Sequence, residues 1–227
     1  VVLVLAHRGA HGGALRENTV DAFAAAAAAG ADGVELDVRA TGDGVLVVLH
    51  DPAIEGVGPV AEVAASALPG WVPTLEAALD ACAGLALVNV ELKADGAPAS
   101  LAERTAGCLL ARPAPPVLLV SSFDLSLLDA HRRAAPGVPT GWLVVPGLDP
   151  ADLVVRATAG GHAAVHPHFS MVSPELVAVA HAEHLRVAAW TVNDQLEARR
   201  LVELGVDVLI SDNPAALRRE LSGRRKR

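Results

Sequence analysis

Short apolar runs rich in Val, Leu and Ile alternate with Ala/Leu-rich helical stretches along the chain, and this alternation constrains the fold more than any other feature. The strand-like runs are Val1–Ala6, Gly33–Val38, Leu85–Leu92, Pro116–Ser121, Thr140–Val145, Ala163–His166, Val187–Thr191 and Val206–Ile210. Helix-period segments at Ala22–Ala29, Leu75–Ala83, Leu101–Leu110, Leu125–Ala134, Ala151–Ala159, Pro174–His184 and Gln195–Leu204 separate most of them. Continuously apolar strands with helices between them imply a parallel sheet covered on its faces. Eight such units suit a closed (β/α)8 TIM barrel of the α/β class, in one domain over residues 1–223. A doubly wound open sheet is the rival architecture for the same alternation.

One run, Val45–His50, breaks the rhythm, because only Thr41-Gly42-Asp43-Gly44 separates it from the preceding strand. A parallel crossover needs a dozen or more residues, so these two runs must pair antiparallel as a hairpin extending the second barrel strand. If Ala40 faces Val45, His50 falls opposite Glu35; a turn closing only on Asp43-Gly44 places it opposite Asp37. Either register returns the imidazole to the carboxylates. The Gly/Pro-rich stretch that follows, about residues 52–73, reads as a short inserted loop or cap over the catalytic end.

A net charge of -8 disfavours non-specific attraction to nucleic acid or to an anionic membrane face. The basic run Arg224–Arg227 reads as a solvated tail. No apolar stretch approaches the length of a bilayer span, and Val1–Ala6 is too short for a signal-peptide core, so a cytoplasmic location without a stable membrane anchor is expected unless a leader has been removed. Cys82 and Cys108 lack metal or redox spacing and read as small core-facing residues.

Polar residues gather where the barrel strands should end: His7-Arg8 on the first, Glu35-x-Asp37 on the second, Glu91-x-Lys93 on the third, and Trp190-Thr191-Val192-Asn193 on a late one. Charged strand ends are often only solvated, but the C-terminal face of this barrel is where active sites lie, and such residues recur on successive strands. Glu35 and Asp37, two apart, share one face of their strand, and Glu91 on the neighbouring strand completes a carboxylate trio. Like charges this close repel unless a cation sits between them, and an all-oxygen set suits one hard divalent ion, Mg2+ or Ca2+. The competing reading is a salt-bridge network with Arg8, Arg39 and Lys93. His7 and His50 flank the cluster as an acid–base pair, and Arg8 and Lys93 have the charge to hold a phosphate. His131, His162, His181 and His184 lie on or beside helix patterns and read as surface residues.

The sequence resembles the glycerophosphodiester phosphodiesterase family. The carrying residues are Ala6-His7-Arg8-Gly9, Glu17-Asn18-Thr19, Gly30 to Val38, Val48-Leu49-His50-Asp51-Pro52, Pro73-Thr74-Leu75-Glu76, Glu91-Leu92-Lys93, Ser122-Phe123-Asp124, Trp190 to Asn193 and Gly205 to Pro214. Any one of these is weak; the ordered set, spread over nearly the whole chain, is specific. The resemblance implies a small-molecule glycerophosphodiester substrate, cleaved to sn-glycerol 3-phosphate and an alcohol. It implies Glu35, Asp37 and Glu91 as metal ligands, His7 and His50 as acid and base, and Arg8 and Lys93 on the phosphate. The substrate's own glycerol hydroxyl would attack, through a cyclic phosphate. Phe123 and Trp190 would line the glycerol pocket, although both also have an ordinary core reading. Glu17 matches a position near the site, and Asn18 reads as the N-cap of the first helix. After Asp51-Pro52 the stretch Ala53 to Gly58 departs from the family's Arg-Thr-Thr-Gly-like continuation, and the insertion is short, which leaves headgroup preference open. A lysophospholipase D acting on lysophospholipids is the alternative activity, and a non-catalytic phosphate-ester-binding protein is the alternative class.

Overall fold

The computed structural model describes residues 2–94, 98–112 and 117–222. The expected strand ends at Val1 and Pro116 and the basic tail lie outside the described residues. In chain order the elements are β1 (Leu3–His7), α1 (Val20–Ala28), β2 (Gly33–Ala40), β3 (Leu46–Val48), β4 (Ala53–Ile54), β5 (Gly58–Pro59), α2 (Leu75–Ala81), β6 (Leu87–Leu92), α3 (Pro98–Leu110), β7 (Val117–Ser122) and α4 (Leu125–Ala134). There follow β8 (Thr140–Val144), α5 (Pro150–Ala159), β9 (Ala164–Pro167), α6 (Pro174–Ala182), β10 (Arg186–Ala189), α7 (Gln195–Leu204), β11 (Val208–Ser211) and α8 (Pro214–Ser222). Strands β1, β2 and β6 to β11 pair in parallel, and β1 bonds to both β2 and β11. The sheet is therefore a closed eight-stranded barrel, not an open doubly wound sheet.

Helix starts are set by side chains that accept from the first free N–H groups: Thr19 for α1, Thr74 for α2, Asp124 for α4, Asp149 for α5, Ser173 for α6 and Asp194 for α7. Helix α8, which was not anticipated, begins after Asn213, whose side chain accepts from Ala216 N at 3.2 Å.

Strand alternation decides what faces the barrel axis. Val4 and Ala6 of β1, Val34, Leu36 and Val38 of β2, and Val88, Val90 and Leu92 of β6 belong to the main core, packed outward against helix residues such as Phe23, Leu79 and Leu101. Their alternates therefore point inward: His7 on β1, Glu35 and Asp37 on β2, Asn89 and Glu91 on β6. Burying one such Leu contributes about 1.5–3 kcal/mol, so the apolar half of each strand holds the polar half in place.

The hairpin forms, but in a register between the two expected. Val38 pairs with Val48, Arg39 with Val47 and Ala40 with Leu46. The cause is a three-residue loop, Gly42-Asp43-Gly44: Thr41 N donates to Val45 O at 3.0 Å, Val45 N donates back to Thr41 Oγ1 at 3.0 Å, and Gly44 takes a φ of 82°. The ladder ends at Val48, so His50 has no strand partner, and its carbonyl accepts from the Arg39 guanidinium. Residues 52–73 form the small β4–β5 ribbon and two 3-10 turns around their own cluster, in which Val60, Ile54, Leu68 and Trp71 pack on Val47 and Leu49.

Two of the histidines expected at the surface are buried. His131 is fully enclosed where α4 meets α3, its Nδ1 3.4 Å from Ala102 O, and His162 shares a hydrogen bond of 2.9 Å with Thr140 Oγ1. Burial, the largest influence, lowers the pKa of both, so a neutral ring fills an apolar site. His181 and His184 are exposed as expected. Cys82 is buried and Cys108 packs against the core, both as free thiols. Among the described residues no helix is long and apolar enough to cross a membrane.

Candidate active site

Closure of the barrel gathers the ends of β1, β2, β6 and β11. Asp37 and Glu91 are register partners, and Glu35 stands level with His7 on one side and Asn89 on the other. Glu35, Asp37 and Glu91 are 3%, 0% and 7% exposed, and each offers a carboxylate oxygen within 4.8 Å of the others. Lys93 Nζ bridges Asp37 Oδ1 at 2.8 Å and Glu91 Oε1 at 2.5 Å, and Arg8 Nε lies 3.2 Å from Asp37 Oδ2.

Burial first, and then the Asp37 charge, push the Glu35 carboxyl up to about 8. Burial also dominates in raising Glu91, reinforced by Asp37 and opposed by Lys93. Burial would raise Asp37 as well, but the Lys93 and Arg8 charges outweigh it and hold its pKa low. Lys93 and Arg8 thus contact Asp37 and Glu91, and Glu35 Oε1 is buried with no hydrogen-bond partner among the described residues. That donor set fits a hard divalent ion: it is all oxygen, and one oxygen is unengaged.

The turn after β1 places Arg8. Arg8 and Gly9 adopt φ values of 55° and 83°, and a Cβ on Gly9 would approach the Ala22 backbone to 2.7 Å. The bend aims the Arg8 N–H at Glu35 Oε2 (3.1 Å) and its guanidinium at Glu17 (2.8 Å). Glu17 therefore reaches the site through Arg8.

His7 Nδ1 is 2.6 Å from Asp212 Oδ1, and its Nε2 lies 3.9 Å from Glu35 Oε2. Burial acts to lower the His7 pKa, but the Asp212 hydrogen bond and the Glu35 charge prevail and raise it. The same bond draws Asp212 down to about 2. Asn193 locks Asp212 from both sides, donating to Oδ2 at 2.6 Å and accepting from the Asp212 N–H at 2.9 Å. His50 Nδ1 lies 2.9 Å from Asp51 Oδ1. His7, Arg8, Glu35, His50, Glu91 and Lys93 line one cavity of about 210 Å³, with Phe123 and Trp190 as its aromatic wall. Those two rings meet edge to face with centroids 5.4 Å apart, and Trp190 Nε1 donates to His166 O at 2.7 Å. Both line the cavity; Phe123 is exposed, whereas Trp190 also packs against the core cluster of Leu5, Ala188, Val208 and Ile210. No residue of 52–73 lines it.

The model of the glycerophosphoryl diester phosphodiesterase family matches residues 7–76 and 60–216. The chain belongs to this family. It is 30% identical to the glycerophosphodiester phosphodiesterase of Caldanaerobacter subterraneus subsp. tengcongensis, over 95% of this chain and 96% of that one. It superposes on the crystal structure of a putative family member from Silicibacter pomeroyi with a TM-score of 0.88 at 32% identity, covering 98% of this chain and 94% of the other. A phosphodiesterase of Oleispira antarctica, solved with the product sn-glycerol-3-phosphate, gives a TM-score of 0.89 at 27% identity, covering 97% and 96%.

Within this family frame, two residues acquire places that the sequence reading had not given them. Asn18 is not the cap of α1; Thr19 is. Asn18 is 1% exposed at a φ of 56°, donates to Asp37 Oδ2 at 2.7 Å and accepts from Asp37 N at 3.3 Å. An amide whose nitrogen and oxygen are both committed to Asp37 on the adjoining strand is not free to cap its own helix. Asp212 was legible only as part of the family stretch ending at Pro214. Its signal was its place at the end of the last strand, which closure sets beside β1, with Ala6 opposite Ser211.

Proposed function

We propose that the chain hydrolyses glycerophosphodiesters to sn-glycerol 3-phosphate and an alcohol such as choline or ethanolamine, with one Mg2+ or Ca2+ held by Glu35, Asp37 and Glu91. One observation carries this reading: three buried carboxylates cluster together, and two of them, Glu35 and Glu91, line a single cavity with two imidazoles and two cations. When bound, the ion would acidify the glycerol hydroxyl and polarise a phosphoryl oxygen.

Arg8, steadied by Glu17, and Lys93 neutralise the phosphate. The Asp212 contact commits His7 Nδ1 and leaves Nε2 for the substrate, as a carboxylate fixes the imidazole in other acid–base pairs. One imidazole takes the proton of the attacking glycerol hydroxyl while the other protonates the departing alcohol. The resulting cyclic phosphate is opened by water with the two roles reversed, giving the monoester. Phe123 and Trp190 pack against the glycerol carbons. The free thiols Cys82 and Cys108 support a reducing, cytoplasmic setting.

The test is incubation with glycerophosphocholine, glycerophosphoethanolamine and lysophosphatidylcholine, with Mg2+ or Ca2+, reading the released alcohol. Turnover of the first two, abolished by chelator, is expected. No turnover of any of them would overturn the proposal.

A further inference from the structure

Asn89 is the one buried polar side chain lining the cavity that the mechanism above does not use. It lies on β6 two residues before Glu91, on the same inward face and level with Glu35. It is 1% exposed, it lines the cavity, and among the described residues neither its amide oxygen nor its amide nitrogen has a hydrogen-bond partner. A primary amide buried with both ends unengaged is costly and rare in native proteins. The contrast with its neighbours is direct. Asn18 is spent on Asp37, and Asn193 on Asp212 and Ser211, whereas Asn89 keeps a free donor and a free acceptor where the floor of this cavity meets a second one lined by strand starts such as Leu87, Val117 and Arg186.

The position says what would use them. Along β6, Asn89 sits about 7 Å deeper than Glu91, from two residues at the strand rise. His7 and Glu35 stand level with Asn89, whereas Arg8 and Lys93 follow the ends of β1 and β6, so a phosphate held by those two cations leaves the departing alcohol toward the mouth and the glycerol toward Asn89. A glycerophosphodiester carries two free hydroxyls: one attacks the phosphorus, and the terminal one still needs a partner that both accepts and donates. Asn89 offers that pair. Most of the other lining residues are charged or apolar. We propose that Asn89 binds the terminal glycerol hydroxyl and thereby selects deacylated glycerophosphodiesters over those acylated at that oxygen. An acyl ester there removes the donated hydrogen and adds a chain to a cavity of about 210 Å³. This rests on the proposed hydrolysis of glycerophosphodiesters.

The experiment compares glycerophosphocholine with its 1-deoxy analogue, the phosphocholine ester of 1,2-propanediol, which keeps the attacking hydroxyl and lacks the terminal one. In the wild-type protein kcat/KM for the analogue should be lower by about 10²-fold or more, since a site built for a hydroxyl rejects a substrate without it. Asn89→Leu, of similar size, should bring the two substrates to within about threefold by slowing glycerophosphocholine alone, because the analogue never used the amide. Calorimetric binding of sn-glycerol 3-phosphate against its 1-deoxy counterpart by the wild type repeats the comparison without a variant. Equal affinity for the two, or an unchanged preference in Asn89→Leu, would overturn the role of Asn89 and leave the hydrolytic reading standing. Wild-type protein inert toward glycerophosphocholine would overturn the hydrolytic reading itself.

Discussion

Replacing Asn18 separates a cap from a clamp. The side chain makes two buried hydrogen bonds to Asp37, one of them to a carboxylate, at a left-handed backbone φ of 56°. A hydrogen bond to a charged group contributes about 1.5–3 kcal/mol, and a residue other than Gly, Asn or Asp in left-handed backbone costs about 1–2 kcal/mol. Asn18→Ala should therefore lose about 3–5 kcal/mol, and Asn18→Gly, free of the backbone cost, about 1–2 kcal/mol less. Both remove the same support from Asp37, so both should weaken Mg2+ or Ca2+ binding about 10–100-fold, the usual effect of losing a group that orients a ligand. Urea denaturation measures the first quantity and titration calorimetry with the ion the second. Asn18→Ser is the discriminating variant, because serine is a good cap but too short to reach Asp37. Wild-type stability and ion affinity in Asn18→Ser would refute the reasoning and restore the cap.

His50→Ala should fold normally and lose about 10²–10⁴-fold in kcat on glycerophosphocholine, read with circular dichroism as a control. Asp212→Asn removes the contact that raises the His7 pKa, so the limb of the pH–rate profile governed by His7 should move to lower pH, with a fall in kcat; an unmoved profile contradicts the pairing. His166 is 2% exposed, and burial pushes its pKa down to about 4 from 6.5. The unfolded chain takes up that proton first, so stability is full above pH 6.5 and is lost as pH falls toward 4, by about 3 kcal/mol from this group. Denaturation curves of His166→Leu between pH 7.5 and 4.5 should lack that share of the decline.

The barrel was legible because its signal is redundant: eight apolar runs and the helices between them agree, and an error at any one end leaves the count intact. The clustering of three carboxylates was legible for the same local reason, since Glu35 and Asp37 share a strand face by period alone. Four features were not. The hairpin register turned on whether four residues, Thr41 to Gly44, or only Asp43-Gly44 form the loop; the Thr41–Val45 bonding selects three, one residue from either. Asn18 precedes a helix beside a threonine, and sequence alone does not say which of the two caps it. Asp212 and Asn89 depend on barrel closure and on depth below the rim, quantities that exist only once the strands are in register. His131 and His162 showed no outward sign of burial because an imidazole is polar enough for a surface and apolar enough for a core.

The whole account stands on a dication seated among Glu35, Asp37 and Glu91 between two imidazoles. A crystal structure with Ca2+ and sn-glycerol 3-phosphate tests it most directly. The expected result is one ion bonded to all three carboxylates at about 2.4 Å, with the phosphate between His7 and His50 and contacted by Arg8 and Lys93. An ion found instead at the His7, His11 and Asp212 group, or a carboxylate trio still bridged only by Lys93, would contradict it.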